Sequence, residues 1–183
     1  MARLYLVRHG KAAASYAEHR DPGLDPVVGM GQAETVAARL APLGPLQIIS
    51  SPMQRARETA APLARLWGVA PLIEPRISEI PAPVDDPVAR AGWLREAMKG
   101  TWSALGPLQR QWRLDVLAAL KAITADTVLF SHYVPINAAA GATQGTDAMR
   151  IFAPDYCSVT IIENDAGELR LVELGQAAET KIL

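Results

Sequence analysis

One cysteine, Cys157, is present among the 183 residues. A single thiol cannot form an internal disulfide, nor a cysteine-only metal cluster. Charge of one sign is also missing: 18 Lys and Arg stand against 19 Asp and Glu, a net charge of -1. That balance gives no global reason to expect nucleic acid or an anionic membrane as a partner. No apolar run approaches the ~20 residues that cross a bilayer. The opening Met1-Ala2-Arg3-Leu4-Tyr5-Leu6-Val7 is too short for a secretory signal and has no cleavage site, so a cytoplasmic protein is expected. The histidines His9, His19 and His132 lie far apart and form no recognisable metal-ligand pair, so neither a metal nor a cofactor is expected. There is no Gly-x-x-x-x-Gly-Lys-Ser/Thr loop and no Gly-x-Gly-x-x-Gly turn. Cys157 has no Arg six residues on, so a cysteine-phosphatase loop is missing. No repeat, low-complexity tract or linker divides the chain, and nothing in it specifies an oligomeric state.

What is there is a globular composition, 50% apolar and 20% charged. A chain of this length buries roughly 70% of the surface its unfolded form exposes. Short apolar runs without helical period, at Leu4 to Val7, Leu46 to Ile49, Val69 to Ile73 and Thr127 to Phe130, predict buried strands. Between them, apolar residues at helical spacing predict helices over Gly31 to Leu43, from Ser51-Pro52 (Ser as cap, Pro in the first turn) to Gly68, and across Ala89 to Ile123 with breaks at Gly100 and Gly106-Pro107. A helix over Pro135 to Ala142 follows. Ser158 to Ile162 and Leu169 to Leu174 alternate about Asp165-Ala166-Gly167 and predict a hairpin. The expected fold is a single α/β layered domain over 1–183, with a mostly parallel central sheet and helices on both faces. The final hairpin makes the sheet mixed, and 80–125 form a helical cover over the site.

In such sheets ligands bind beyond the carboxyl ends of the strands. The strand ends here carry Arg8-His9-Gly10, then Ser50-Ser51-Pro52 with Arg55 and Arg57 shortly after, then Glu79, then His132. Arg forks pair bidentately with phosphate. An imidazole is a competent nucleophile, and a carboxyl group can protonate a leaving oxygen and then activate water. Phosphoryl transfer needs chiefly positioning and neutralised oxygen charge, which this set supplies. Taken singly each residue has a blander reading. Arg57 and Arg65 read as solvated surface, His19 as exposed, and Trp93, Trp102 and Trp112 as packing anchors.

In order along the chain, Arg8-His9-Gly10, Ser51-Pro52-Met53-Gln54-Arg55-Ala56-Arg57-Glu58-Thr59-Ala60 and Phe130-Ser131-His132 resemble the signatures of the histidine phosphatase, or phosphoglycerate mutase-like, superfamily. Leu24-Asp25-Pro26 with Gly31-Gln32-Ala33, and Asp155 to Thr160, also fit. Met53 stands where the second signature has Leu. The resemblance implies that His9 becomes a phosphohistidine, that Arg8, Arg55 and His132 hold the phosphoryl group, and that Glu79 is the proton donor, with Asp85 and Asp86 its competitors. Where many relatives carry a phosphate-binding Asn, this chain has Lys11-Ala12-Ala13-Ala14-Ser15, so Ser15 or Lys11 substitutes only in part. Tyr133 replaces a frequent Gly and either narrows the pocket or stacks on a substrate ring.

The resemblance points to a compact, metal-independent phosphatase acting on a small phosphorylated metabolite or a phosphohistidine protein. The alternatives are a phosphoglycerate mutase, whose members generally have longer chains, and a non-catalytic phospho-ligand-binding module. Arg90, Trp93, Arg95, Arg110 and Arg113 in the cover are candidates to reach the substrate.

Overall fold

The computed structural model describes residues 1–14 and 21–178. Ser15 and His19 lie outside the described residues. Six strands form one sheet: β1 (Ala2–Arg8), β2 (Gln47–Ser50), β3 (Leu72–Ile73), β4 (Thr127–Ser131), β5 (Val159–Asp165) and β6 (Glu168–Glu173), in the spatial order β3-β2-β4-β1-β5-β6. β3, β2, β4 and β1 run parallel, and β5 is antiparallel to both its neighbours. The sheet is therefore mixed through its C-terminal hairpin. Ala166 and Gly167 take positive φ in the tight turn of that hairpin, where Gly meets no steric cost.

Helices cover both faces. Alternate residues of β1 point opposite ways, so Leu4 and Leu6 join one core while Tyr5 and Val7 join the other. α1 (Val28–Leu40) and α2 (Gln54–Trp67) pack on the second face through Val36, Ala37, Leu40, Ala60 and Leu63. α4 (Pro107–Lys121) packs on the first through Val116, Ala119 and Leu120, and Ile136 and Ala139 of α5 (Tyr133–Thr143) join them. α3 (Pro87–Ala97) buries no residue fully. The stretch 80–125 thus divides into a scaffold helix, α4, and a more superficial part built on α3 and the 3-10 turn Trp102–Ala104. Trp102 anchors that part. It is 1% exposed, stacks on Trp112 with centroids 6.0 Å apart, and packs with Ile80, Met98 and Met149.

Element bounds differ from the sequence expectation in instructive places. α1 starts at Val28 because Asp25 Oδ1 accepts from the backbone N–H of Val27 and Val28, and it ends at Leu40, where Ala41-Pro42-Leu43 tightens into a 3-10 turn. α2 starts at Gln54, and Ser51 does not cap it. Asp21 does so from outside the helix, accepting the Gln54 N–H at 2.8 Å. β3 is a two-residue edge strand, shorter than Val69 to Ile73 suggested. α5 begins at Tyr133, two residues before Pro135, with His132 as its N-cap residue.

Candidate active site

Strand register builds the site. Arg8 pairs with Ser131 and Ser50 with Phe130, so the residues that follow, His9, Ser51 and His132, leave neighbouring parallel strands at nearly one level. His9 N–H donates to Ser131 O at 3.0 Å, and Ser51 N–H to Phe130 O at 3.0 Å, extending the ladder into the loops. The rings of His9 and His132 lie with centroids 5.2 Å apart. Gly10 is required here, because a Cβ would stand 2.8 Å from Gly29 O. Thr59, one turn into α2, accepts from Gly10 N–H at 3.0 Å and donates to Arg55 O at 2.7 Å, which docks the helix on the loop after β1.

The chemistry of His9 follows from its bonds. Nδ1 lies 2.7 Å from the Gly10 carbonyl oxygen, which can only accept, so Nδ1 carries the hydrogen. Nε2 is left with a lone pair and accepts from Arg55 Nε at 3.2 Å. Burial, then the charges of Arg55 and Arg8, push the His9 pKa well below its usual range, so the ring is neutral. His132 is completely buried, and burial, then Arg55, His9 and Arg8, push its pKa well below the usual range, so this ring is neutral as well.

Arg55 is 4% exposed, whereas Arg57, two residues on, faces solvent. Arg55 also donates to the Met53 sulfur at 3.5 Å and lies 3.9 Å from Asp21. Arg8 is held between two rings, 4.1 Å from the centroid of Tyr156 and 5.3 Å from that of Tyr133, and donates to Pro154 O at 2.8 Å. Tyr133 is 7% exposed and packs against Val134 and Met149, so its ring braces Arg8 from within the core.

Glu79 reaches the site through a short chain of contacts. Ser131 Oγ donates to Ile77 O at 2.7 Å and fixes the turn before Glu79 on β4. The carboxylate accepts from Ile80 N–H at 3.1 Å and from Val134 N–H at 3.2 Å, beside His132. Burial raises its pKa, against the opposing pull of Arg55, the two N–H groups and Arg8. Asp85 and Asp86 are exposed, and Asp86 is used as the α3 cap, accepting from Ala89 N–H at 2.8 Å.

His9, His132, Arg8, Arg55 and Glu79 are thus brought together. Lys11 faces solvent. Arg113 is engaged by Thr146 O at 3.2 Å, Asp147 at 3.6 Å and the Trp102 face. Arg95 and Arg110 are exposed, and Trp93 packs against the Ile80–Trp102 cluster. Two surface cavities, of about 310 and 370 Å³, lie elsewhere and are lined by none of the five site residues. Among the described residues no three His, Cys, Asp or Glu side chains stand together as a metal-ligand group, and no helix is long and apolar enough to cross a membrane.

Sequence reasoning missed the parts played by Ser51, Thr59, Asp21 and Tyr156. Ser51 and Thr59 sat inside the second signature, which was the available signal. Tyr156 lay inside the Asp155 to Thr160 segment that also fits the resemblance, and Asp21 reaches the site through tertiary contacts alone.

Residues 4–86 match the family model of the histidine phosphatase superfamily (branch 1). A probable phosphoglycerate mutase of Escherichia fergusonii is 40% identical over 84 residues, covering 44% of this chain and 39% of that one. A glucosyl-3-phosphoglycerate phosphatase of Mycobacterium tuberculosis is 29% identical over 140 residues, covering 69% of this chain and 60% of that one. The chain therefore spans less than two thirds of the length of these curated relatives. A solved mycobacterial glucosyl-3-phosphoglycerate phosphatase, in complex with VO3, has the same fold, with a TM-score of 0.73 at 19% identity over 97% of this chain and all of that one.

Proposed function

We propose that the chain, whose residues 4–86 match the family model of the histidine phosphatase superfamily (branch 1), is a metal-independent phosphatase of that superfamily. It hydrolyses a phosphomonoester, or a phosphohistidine protein, through a phosphohistidine on His9. One observation carries this reading: the Gly10 carbonyl fixes hydrogen on Nδ1, so a neutral, buried Nε2 lone pair faces the guanidinium that would bind the phosphoryl group.

In the first step Nε2 of His9 attacks phosphorus in line and the bond to the leaving oxygen breaks. Glu79 gives its proton to that oxygen. Arg8, Arg55 and His132 hold the three equatorial oxygens, whose charge spreads in the transition state. In the second step the Glu79 carboxylate takes a proton from water, which attacks the phosphohistidine and releases phosphate and neutral His9. The raised pKa of Glu79 supports its part, since the group must enter the first step protonated.

The substrate is a small phosphorylated metabolite or a phosphohistidine protein, and α3 with its flanking loops is the segment that selects it. The likeness to a probable phosphoglycerate mutase keeps phosphoryl transfer between hydroxyls as the second reading.

Hydrolysis of p-nitrophenyl phosphate, with His9→Ala as blank, tests the activity. Quenching with labelled substrate should trap an acid-labile, base-stable phosphoenzyme. Full activity in His9→Ala would refute the mechanism, and isomerisation of phosphoglycerate would favour the second reading.

A further inference from the structure

Ser51 was expected to cap a helix. The structure gives its hydroxyl a different position. Ser51 is completely buried, and its backbone N–H is fixed on Phe130 O, two residues before His132. Its Oγ lies 2.8 Å from His132 Nε2 and accepts the Met53 N–H at 3.2 Å. The other ring nitrogen, Nδ1, is buried and has no hydrogen-bond partner among the described residues.

A serine hydroxyl has one hydrogen and two lone pairs. The Met53 N–H occupies one lone pair. Two arrangements remain. If His132 Nε2 carried the hydrogen, it would donate to the second lone pair. The serine hydrogen would then be buried without an acceptor, and Nδ1 would present a bare lone pair to any phosphoryl oxygen. If the serine hydrogen instead goes to Nε2, every group on that side is satisfied, and Nδ1 carries a hydrogen. The second arrangement leaves no buried donor wasted and turns the orphaned nitrogen into a donor for an anionic ligand.

We propose that Ser51 is a positioning residue that locks His132 in the Nδ1–H tautomer and so makes it a neutral hydrogen-bond donor to a phosphoryl oxygen. Ser51 Oγ donates to Nε2 and takes the Met53 N–H in return. The start of the second signature is then a relay. The backbone of the α2 lead-in orients a hydroxyl, and the hydroxyl orients a ring contributed by a strand end 81 residues away. The donor strength of His132 comes without a third positive charge beside Arg8 and Arg55.

The inference rests on His132 as a phosphate ligand, and its test does not require turnover. Histidine-15N-labelled protein, with His132→Asn to assign the signal, reports the tautomer from the two ring nitrogen shifts. Wild type should show Nδ1 protonated and Nε2 bare, and inorganic phosphate should move the Nδ1–H resonance. Ser51→Ala should shift His132 towards the Nε2–H form or a mixture, with Ser51→Thr restoring the wild-type pattern. Phosphate affinity and kcat on p-nitrophenyl phosphate should fall together in Ser51→Ala by roughly 10- to 100-fold, the scale for losing a group that orients a histidine. Ser51→Thr covers the case in which the alanine variant does not fold. An Nε2–H tautomer in wild type, or an unchanged Nδ1–H tautomer in folded Ser51→Ala, overturns the proposal. If no phosphatase activity is found in wild type, the proposed function fails while the tautomer measurement still decides this point.

Discussion

Arg55 Nε donates to His9 Nε2 across 3.2 Å, so the arginine proposed to bind phosphate occupies the lone pair of the proposed nucleophile. The contact keeps the ring neutral, because a protonated Nε2 could not accept it. Phosphoryl oxygens are stronger acceptors for a guanidinium than a neutral imidazole is. On the proposed mechanism, binding of a phosphoryl dianion would therefore draw Arg55 to the ligand and free Nε2 at the same moment. Arg55→Ala should lower kcat/KM by about 10²- to 10³-fold, the scale of a lost transition-state anion contact. Arg55→Lys should recover little, since an ammonium cannot serve as a fork. Arg57→Ala should stay within a few-fold of wild type because its side chain faces solvent. Steady-state kinetics on p-nitrophenyl phosphate decide it, and equal losses at both positions would contradict the geometry.

The pH profile should separate His9 from Glu79. His9 must be neutral to attack, and its pKa is held well below the usual 6.5, so it imposes no loss of rate on moderate acidification. Glu79 must be protonated to donate, and burial raises its pKa above the usual 4.5. Activity on alkyl phosphates should therefore fall as pH rises through the Glu79 value. Glu79→Gln should remove that limb relative to wild type on the same substrate. It should also slow alkyl phosphates far more than p-nitrophenyl phosphate, whose leaving group needs little protonation, and should produce a burst as the phosphoenzyme accumulates. Normal alkyl phosphate rates in Glu79→Gln, with a crippled Asp85 or Asp86 variant, would move the role to that loop.

Stability should fall on acidification through the two buried histidines. Both have depressed pKa values in the folded chain and ordinary ones when unfolded. Below about pH 6.5 the unfolded state binds more protons, so stability rises with pH up to that point and is lost as pH drops towards the folded values. Glu79 acts oppositely, holding a proton when folded that the unfolded chain has released, so its share is lost as pH rises above 4.5 through its raised value. Urea midpoints at pH 7 and 5.5 should differ less in a His9→Gln, His132→Asn protein than in wild type. An unchanged difference would argue against buried neutral rings.

Tyr156 should support Arg8 from the open side of the site. Its ring lies 4.1 Å from the guanidinium and 6.0 Å from the His9 ring. A cation–π contact contributes from about 0.5 kcal/mol when exposed to about 2 kcal/mol when desolvated, and both partners here are partly buried, so Tyr156→Ala should raise KM by between about 2-fold and roughly 30-fold. Tyr156→Phe should remain near wild type, because the face of the ring and not the hydroxyl makes the contact. A Phe variant as impaired as Ala would assign the role to the hydroxyl.

Local physics made much of this legible in the sequence. Leu4 to Val7 and Thr127 to Phe130 are buried on both faces and read as continuous apolar runs, so both central strands could be found without a partner. Arg8-His9-Gly10 and Phe130-Ser131-His132 were legible as candidate site residues because they stand at the ends of those strands. Arg55 and Arg57 could be told apart because positions two apart on a helix face different ways. Register, burial and side-chain direction came only with the tertiary structure. Whether Glu79 or Asp85 and Asp86 stands beside His132 depends on the Ser131–Ile77 bond, formed between residues 54 apart. The capping of α2 depends on Asp21, 33 residues away, and Ser51 was misread as its cap because local spacing allows that bond and says nothing of the competing ring of His132. Tyr133 and Tyr156, 23 positions apart, became the two walls around Arg8 only when β1, α5 and the lead-in to β5 were packed together. Periodicity encodes which face of an element is apolar. Which polar groups meet across the sheet is set by strand order and register, and these are decided by the packing of the whole chain.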